Sequence, residues 1–409
     1  MKVIEKKYLL PFVLVTSLFA LWGLANNMTD TLLAAFKKIM QMSDTRTSFI
    51  QMAFYGAYFC IALPAALFIR RFSYKSGVIL GLALYAVGAL LFWPAAKVES
   101  YAFYLIAIYI LAAGCSVLET AANPYIMCMG SAETATRRLN IAQSFNPIGS
   151  ILGILVSKYF ILLDISLYSV SGTYAWVGVV LLAIMVVMLF ARMPEGKDTS
   201  QQSSLKASFR RLVGNKKYIC GVVAQFFYVG AQIGVWSFTI RLVMKELGCV
   251  ETEAATLYLI AMIGFCSSRF VYTWLMKYIA PQRLLLVGSV LTSLCALLVV
   301  LCSGWAAVVA LVLISVFMSL MFPTIYGIAL GSVNDSEHPD DAKIGASGLI
   351  MAILGGALLT PVQGMVSDAT GSINVSYLVP FGCFVVVSCY AFFITKDETP
   401  MTFTSRPRE

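Results

Sequence analysis

The chain is 409 residues long, and 60% of them are hydrophobic while only 12% are charged, a balance that excludes a water-soluble domain. Its net charge of +9 would suit an acidic partner, but the basic residues are distributed along the chain in a way that membrane topology explains. A nucleic-acid partner is therefore not expected.

Apolar runs of about 20 residues, the length that crosses a bilayer as a helix, recur through the whole chain. They predict twelve spans at approximately 8–35, 47–69, 75–95, 101–129, 139–163, 172–191, 217–243, 252–276, 281–302, 305–332, 343–365 and 376–395. The fold class is thus an all-α integral membrane protein. With the N-terminus inside, 21 of the 29 Lys and Arg residues fall in inside segments, 7 in outside loops and Arg269 within a span. Cytoplasmic loops retain such residues, so both termini are predicted to be cytoplasmic. The opening MKVIEKKYLLPFVLV looks like a signal peptide, but its apolar run is too long for one and eleven spans follow, so it is read as a retained first span.

In chain order, the first span carries Asn26, Asn27 and Asp30 within WGLANNMTDTLLAAF, three or four residues apart and hence on one helix face. The fourth span repeats the device with Glu119 and Asn123 in LETAANPY, and the fifth with Asn140, Gln143 and Asn146 in RRLNIAQSFNPIG. A carboxylate near the middle of a membrane helix costs roughly 2.5–3.5 kcal/mol, so Asp30 and Glu119 call for a functional reason. A substrate or proton path is the usual one. Amides supply paired donors and acceptors and a carboxylate accepts strongly, which suits a ligand covered in hydroxyl groups. The same amides could instead bond neighbouring helices, a common use of Asn and Gln in membranes.

The hydrophilic stretch 192–216, containing MPEGKDTSQQSS and most of the basic FRRLVGNKK, divides the chain into six-span halves at 1–191 and 217–409. Beyond it, Gln225, Tyr228, Gln232 and Trp236 on the seventh span and Tyr326 on the tenth offer amides and rings without acids. Rings would match the apolar face of a monosaccharide and the opposite polar groups its hydroxyls. Arg269, on the eighth span, could form an internal salt bridge with Asp30 or Glu119, but it is read as lying in the other half, toward the cytoplasmic side.

The halves echo one another: Pro124 follows Glu119 by five residues as Pro323 follows Met318, and the ends of the first and seventh spans align Asp30 with Ser237. Small-residue pairs at Gly77/Gly81, Gly149/Gly153, Gly230/Gly234 and Gly327/Gly331 predict close helix packing. The ten scattered cysteines read as small apolar fillers, and His338, the only histidine, as a solvated loop residue.

Taken together, WGLANNMTDTLL, IQMAFYGAYF, RRFSYKSGVILGLALYAVGALLFWPAA, AGCSVLETAANPY, RLNIAQSFNPIGS, AQFFYVGAQ and TPVQGMVSDATG resemble the fucose–galactose–glucose permease branch of the major facilitator superfamily. The resemblance is densest over residues 8–153. It implies two six-helix halves around a mid-membrane site and uptake of a monosaccharide, L-fucose foremost, across the bacterial inner membrane. The proton would be the coupling ion, no cofactor would be needed, and the unit would be a monomer. Asp30 and Glu119 would couple the proton and help to recognise sugar, with Gln143 and Asn146 in the pocket. Pro147 departs from the family pattern, as does a shorter loop between the fifth and sixth spans. Divergence is greater in the C-terminal half, where sugar preference would be set.

Two other function classes are weighed against import. A glucose or galactose permease, an uncoupled facilitator or an exporter would keep this fold. An intramembrane enzyme finds its only foothold in Gly345-Ala346-Ser347-Gly348, without a histidine on the same scaffold. A primary pump lacks its phosphate loop, for no Gly-x-x-x-x-Gly-Lys-Ser/Thr occurs in the chain.

Overall fold

In a bilayer every backbone N–H and C=O needs a partner from its own segment, and an apolar run meets that need as a helix. A computed structural model describes residues 3–41, 44–161, 166–193, 204–333 and 339–396; side chains at 26, 29–35, 37, 38, 44–48, 158, 251 and 339 are outside the described set. Twelve helices long and apolar enough to cross a membrane lie among the described residues, and no strand does. They begin with Leu9–Ile39, Asp44–Arg71, Tyr74–Leu90 continued by Phe92–Val98, Tyr101–Met127, Ala135–Gln143 continued by Asn146–Phe160, and Leu167–Phe190. The second six are Lys216–Leu247, Glu251–Leu275, Pro281–Leu301, Gly304–Met318 with Met321–Gly331, Pro339–Met351 with Gly355–Thr370, and Ile373–Ser376 with Leu378–Lys396.

Local signals set several of these ends. Ser73 caps the third span, accepting from the Ser76 N–H at 3.0 Å, and Asn215 caps the seventh, accepting from the Tyr218 N–H at 3.0 Å. The seventh span stops at Gly248, whose φ of 61° is a left-handed conformation that glycine adopts without strain. The fifth and tenth spans are each broken in mid-membrane, just before Pro147 and Pro323. A proline has no N–H to give the carbonyl four residues earlier, so the helix must yield there.

Within the first six spans, the first packs on the fifth, the second on the fourth, and the third on the fourth and sixth. Gly149 explains the first of these, because a Cβ there would collide with the Ala20 carbonyl. Gly81 and Gly153 are likewise pressed against neighbouring backbone, Gly77 against Ile69 and Gly230 against Leu359, whereas Gly331 faces open space and makes no close approach. In the second six, the ninth span packs on the tenth and twelfth and the seventh on the tenth, eleventh and twelfth.

The two sets meet along two seams, the second span against the eleventh and the fifth against the tenth. At the end of the molecule where the described residues begin and end, Arg70 Nε donates to Asp340 at 2.9 Å across one seam. The hydrophilic stretch is not wholly irregular: Leu205–Gly214 is a helix that buries Leu212 and clamps Asp341 with Arg211 through bonds of 2.5 and 2.8 Å. The hydrogen bond from Asp341 holds the Arg211 proton more firmly than usual. Buried Arg138 ties the end of the fourth span to the N-terminus, donating to the carbonyls of Ile126 at 2.7 Å and Val3 at 2.9 Å.

Candidate functional site

Between the two sets of helices lies a cavity of about 540 Å³. Its size falls in the range of about 300–1,000 Å³ common to small-molecule sites. One wall comes from the first six spans and sets the polar Asn27, Gln51, Tyr58, Glu119, Gln143, Asn146 and Ser150 beside Phe54, Tyr55 and Ile154. Facing it are Val229, Gln232, Ile233, Trp236 and Ser237 of the seventh span, Tyr258, Phe265 and Arg269 of the eighth, Phe322 and Ile353. A hydrogen-bonding wall therefore confronts one dominated by rings and aliphatic side chains.

Helix spacing brings the polar wall together. Gln143 and Asn146 flank the break in the fifth span, so both point inward although they lie on separate helical segments. Tyr58 is fixed by the Trp22 indole, which donates to its hydroxyl at 3.1 Å. Trp22 is thus a buried support, while Trp305 is exposed. Glu119 is 8% exposed; its Oε2 is buried without a hydrogen-bond partner, and no acid–base pair is recorded for it among the described residues. A carboxylate so placed is costly when charged, which makes it sensitive to a proton or a ligand hydroxyl.

Several predicted residues stand behind the cavity wall instead of in it. Asn123 is fully buried and its Oδ1 accepts from Gln143 Nε2 at 3.0 Å. Tyr228 turns away and donates to the Met318 carbonyl at 3.2 Å. Gln225 and Tyr326 are fully buried and outside the lining. Asn140 bonds across the seam to Thr324 at 3.3 Å. The side chains of Asn26 and Asp30, and all of His338, lie outside the described residues.

Arg269 lies where the sequence placed it, toward the end of the eighth span, but its partners are not acids. It is 3% exposed and lines the cavity, and it makes no ion pair among the described residues. Its Nε donates to the Ser319 carbonyl at 2.7 Å and its Nη1 to the Gln143 carbonyl at 2.9 Å, with the guanidinium 4.7 Å from the Phe265 ring centroid. Those two carbonyls lie four residues before Pro323 and Pro147. Each has lost its helical N–H partner to a proline, and one arginine satisfies both. Sequence reasoning missed this use of Arg269, yet the signal is there in the two prolines. Gln51 and Tyr58 were also missed, since a single amide and a tyrosine in an apolar helix mark no face by themselves. Trp236 packs edge-to-face on Phe265 at 5.0 Å and donates to Ser315 Oγ at 3.3 Å, which fixes its ring along the cavity.

The profile of the Major Facilitator Superfamily matches residues 13–339. Among curated proteins, the chain is 42% identical to the L-fucose-proton symporter of Haemophilus influenzae, covering 96% of this chain and 98% of the other. It is 30% identical to the glucose/galactose transporter of Brucella abortus, covering 96% of each. Among solved structures it is similar to a Major Facilitator Superfamily transporter, FucP, in the outward conformation, with a TM-score of 0.85 and 35% identity over 95% of this chain and 99% of that one.

Proposed function

We propose a transport cycle from one premise: the chain belongs to the Major Facilitator Superfamily. It is a multi-pass membrane transporter, and in the cycle we propose it imports L-fucose together with protons by alternating access. The halves 1–191 and 217–409 rock about the cavity while 192–216 tethers them on the cytoplasmic side, where both termini lie. The membrane is the bacterial inner membrane, the working unit is a monomer, and the proton is the only coupling ion.

The observation that carries this reading is Glu119, a carboxyl group with one unpartnered oxygen at the edge of a sugar-sized cavity. Closing such a site around a bare carboxylate removes water from a charge and is opposed, because an unpaired buried ion costs several kcal/mol on the order-of-magnitude scale. Protonation removes the charge and converts the group into a hydrogen-bond donor for a sugar hydroxyl. Closure is then favoured when the acid is protonated and a sugar hydroxyl meets its donor, which couples the proton to the sugar. Asn27, Gln51, Gln143 and Asn146 bind the remaining hydroxyls, and Trp236, Tyr258 and Phe265 cover the apolar sugar face. Asp30 relays the proton from the outer water, a role taken from its place on the first span.

Uptake of radiolabelled L-fucose into proteoliposomes, with and without an inward proton gradient and with glucose, galactose and arabinose as competitors, tests the reading. Accumulation that needs the gradient and is blocked best by L-fucose is the expected result. Gradient-independent equilibration would make the chain a facilitator, and stronger blocking by glucose or galactose would move it to the substrate named for the Brucella relative.

A further inference from the structure

Below Glu119, toward the closed end, the structure holds polar groups that the cavity does not use. Asn123 Nδ2, the Tyr326 hydroxyl and both amide atoms of Gln225 are buried without hydrogen-bond partners. Each of these residues is 0% exposed. Leaving such atoms unpaired opposes the state in which they are shut away. They are not scattered. Asn123 follows Glu119 by four residues on the same helix face, one turn closer to the termini. The Tyr326 hydroxyl lies beside the Asn123 side chain, reaching it from the tenth span. Gln225 precedes Val229 by four residues and Gln232 by seven, so it continues the lining stripe of the seventh span beyond the cavity.

Gln225 also lies between two contacts with the tenth span. Gly221, one turn before it, comes close to Ala329, and Tyr228, three residues after it, bonds Met318. The two helices run antiparallel, so Gln225 faces the turn that carries Tyr326.

We infer that Asn123, Gln225 and Tyr326 form a release subsite for the sugar, closed in this conformation and opened when the halves part on the cytoplasmic side. The inference rests on the transport reading above. In the closed seam these atoms have nothing to bond; in the opened seam they meet water and the hydroxyls of a monosaccharide descending from Glu119 and Gln143. Their unpaired state makes the closed seam less stable than a greasy one would be, and so sets the ease with which it opens. The subsite takes the same polyhydroxylated ligand as the cavity, after the proton-bearing acid has let it go.

The test uses Gln225→Leu and Tyr326→Phe in the full chain, with Gln363→Leu as a control. Gln363 is also buried with both amide atoms unpartnered, but it packs against Gly234 on the opposite face of the seventh span. Equilibrium binding of radiolabelled L-fucose to the detergent-purified protein and counterflow exchange in proteoliposomes are measured in parallel. Both track variants are expected to keep binding affinity within about twofold and to slow exchange by about tenfold, the equivalent of about 1.4 kcal/mol, while Gln363→Leu exchanges as the parent does. Tyr326→Phe deletes a single oxygen and carries the test if Gln225→Leu does not fold. Parent-like exchange by the track variants, equal slowing by the control, or a tenfold loss of binding affinity would each overturn the subsite. A parent protein that exchanges no L-fucose would instead overturn the transport reading beneath it.

Discussion

Arg269 is the residue whose substitution speaks most directly to how the closed end is held. Its bond to Ser319 stays within one half, but its 2.9 Å bond to the Gln143 carbonyl crosses to the other and exists only while the halves are together on this side. Arg269→Lys keeps the charge and removes the fork, and one ammonium on a flexible stem cannot reproduce two directed bonds to carbonyls in different helices. A hydrogen bond made by a charged group contributes about 1.5–3 kcal/mol. Losing the cross-half bond therefore moves the opening equilibrium toward the cytoplasm-open state by about 10- to 150-fold, at about 1.4 kcal/mol per decade. The bond within one half contributes equally to both states and drops out of that difference.

Spin labels on exposed Arg71 and Lys277, in a cysteine-depleted background, would report the change as a longer inter-label distance by electron–electron resonance. Pro147→Ala attacks the same bond from the acceptor side, by restoring an N–H that competes for the Gln143 carbonyl. Its shift has the same sign and is smaller, because a carbonyl oxygen can accept two bonds. If Arg269→Lys left the distance distribution unchanged while Arg269→Met altered it, the charge and not the two directed bonds would be holding the seam, and the proline argument would fail.

Three further outcomes are expected. Glu119→Gln, which imitates the protonated acid, retains sugar exchange and loses accumulation against a gradient; accumulation at the parent level, read by uptake with and without a proton ionophore, would remove Glu119 from the coupling. Asp340→Asn removes the charge that Arg70 meets across the seam, at a site where both side chains are at most 10% exposed, costs about 2–5 kcal/mol by comparison with other buried charged pairs, and favours the cytoplasm-open state; exchanging the two residues should recover much of the loss in the same distance measurement. Substituting Gln232 or Trp236 reorders preference among L-fucose, galactose and arabinose by roughly ten- to a hundredfold per unmet hydrogen bond while proton uptake per sugar is kept; simultaneous loss of coupling and of all sugars in competition uptake would show that the halves do not divide these tasks.

Membrane helices announce themselves because length and apolarity alone decide them, so the twelve spans could be read before any coordinates. The polar wall was nearly as legible, since Asn27, Glu119, Gln143 and Asn146 repeat at helical spacing in otherwise apolar helices and have few other reasons to be there. The seventh span was not, and its residues show why. Gln225, Tyr228, Gln232 and Trp236 are close to one stripe, yet Gln232 and Trp236 line the cavity, Tyr228 turns to Met318 and Gln225 lies beneath the floor. Periodicity fixes which residues share a face; how far a helix is rotated, and at what depth the neighbouring half seals it, depends on partners far away in the chain.

Arg269 marks the same boundary from the other side. Counting charges placed it in a span and suggested an acid for it, because a buried cation is usually paired with an anion. The partner is instead a pair of backbone carbonyls. Pro147 and Pro323 each withhold one N–H, and the two oxygens left bare face one another across the seam. Either proline taken singly reads as an ordinary helix break. Only the fold brings the fifth and tenth spans side by side, and at that point a charged residue in an apolar helix, a residue outside the family pattern and two helix breaks become one device. The guanidinium satisfies four-residue gaps in two helices at once, so the breaks that let the fifth and tenth spans bend also supply the acceptors that hold the halves together.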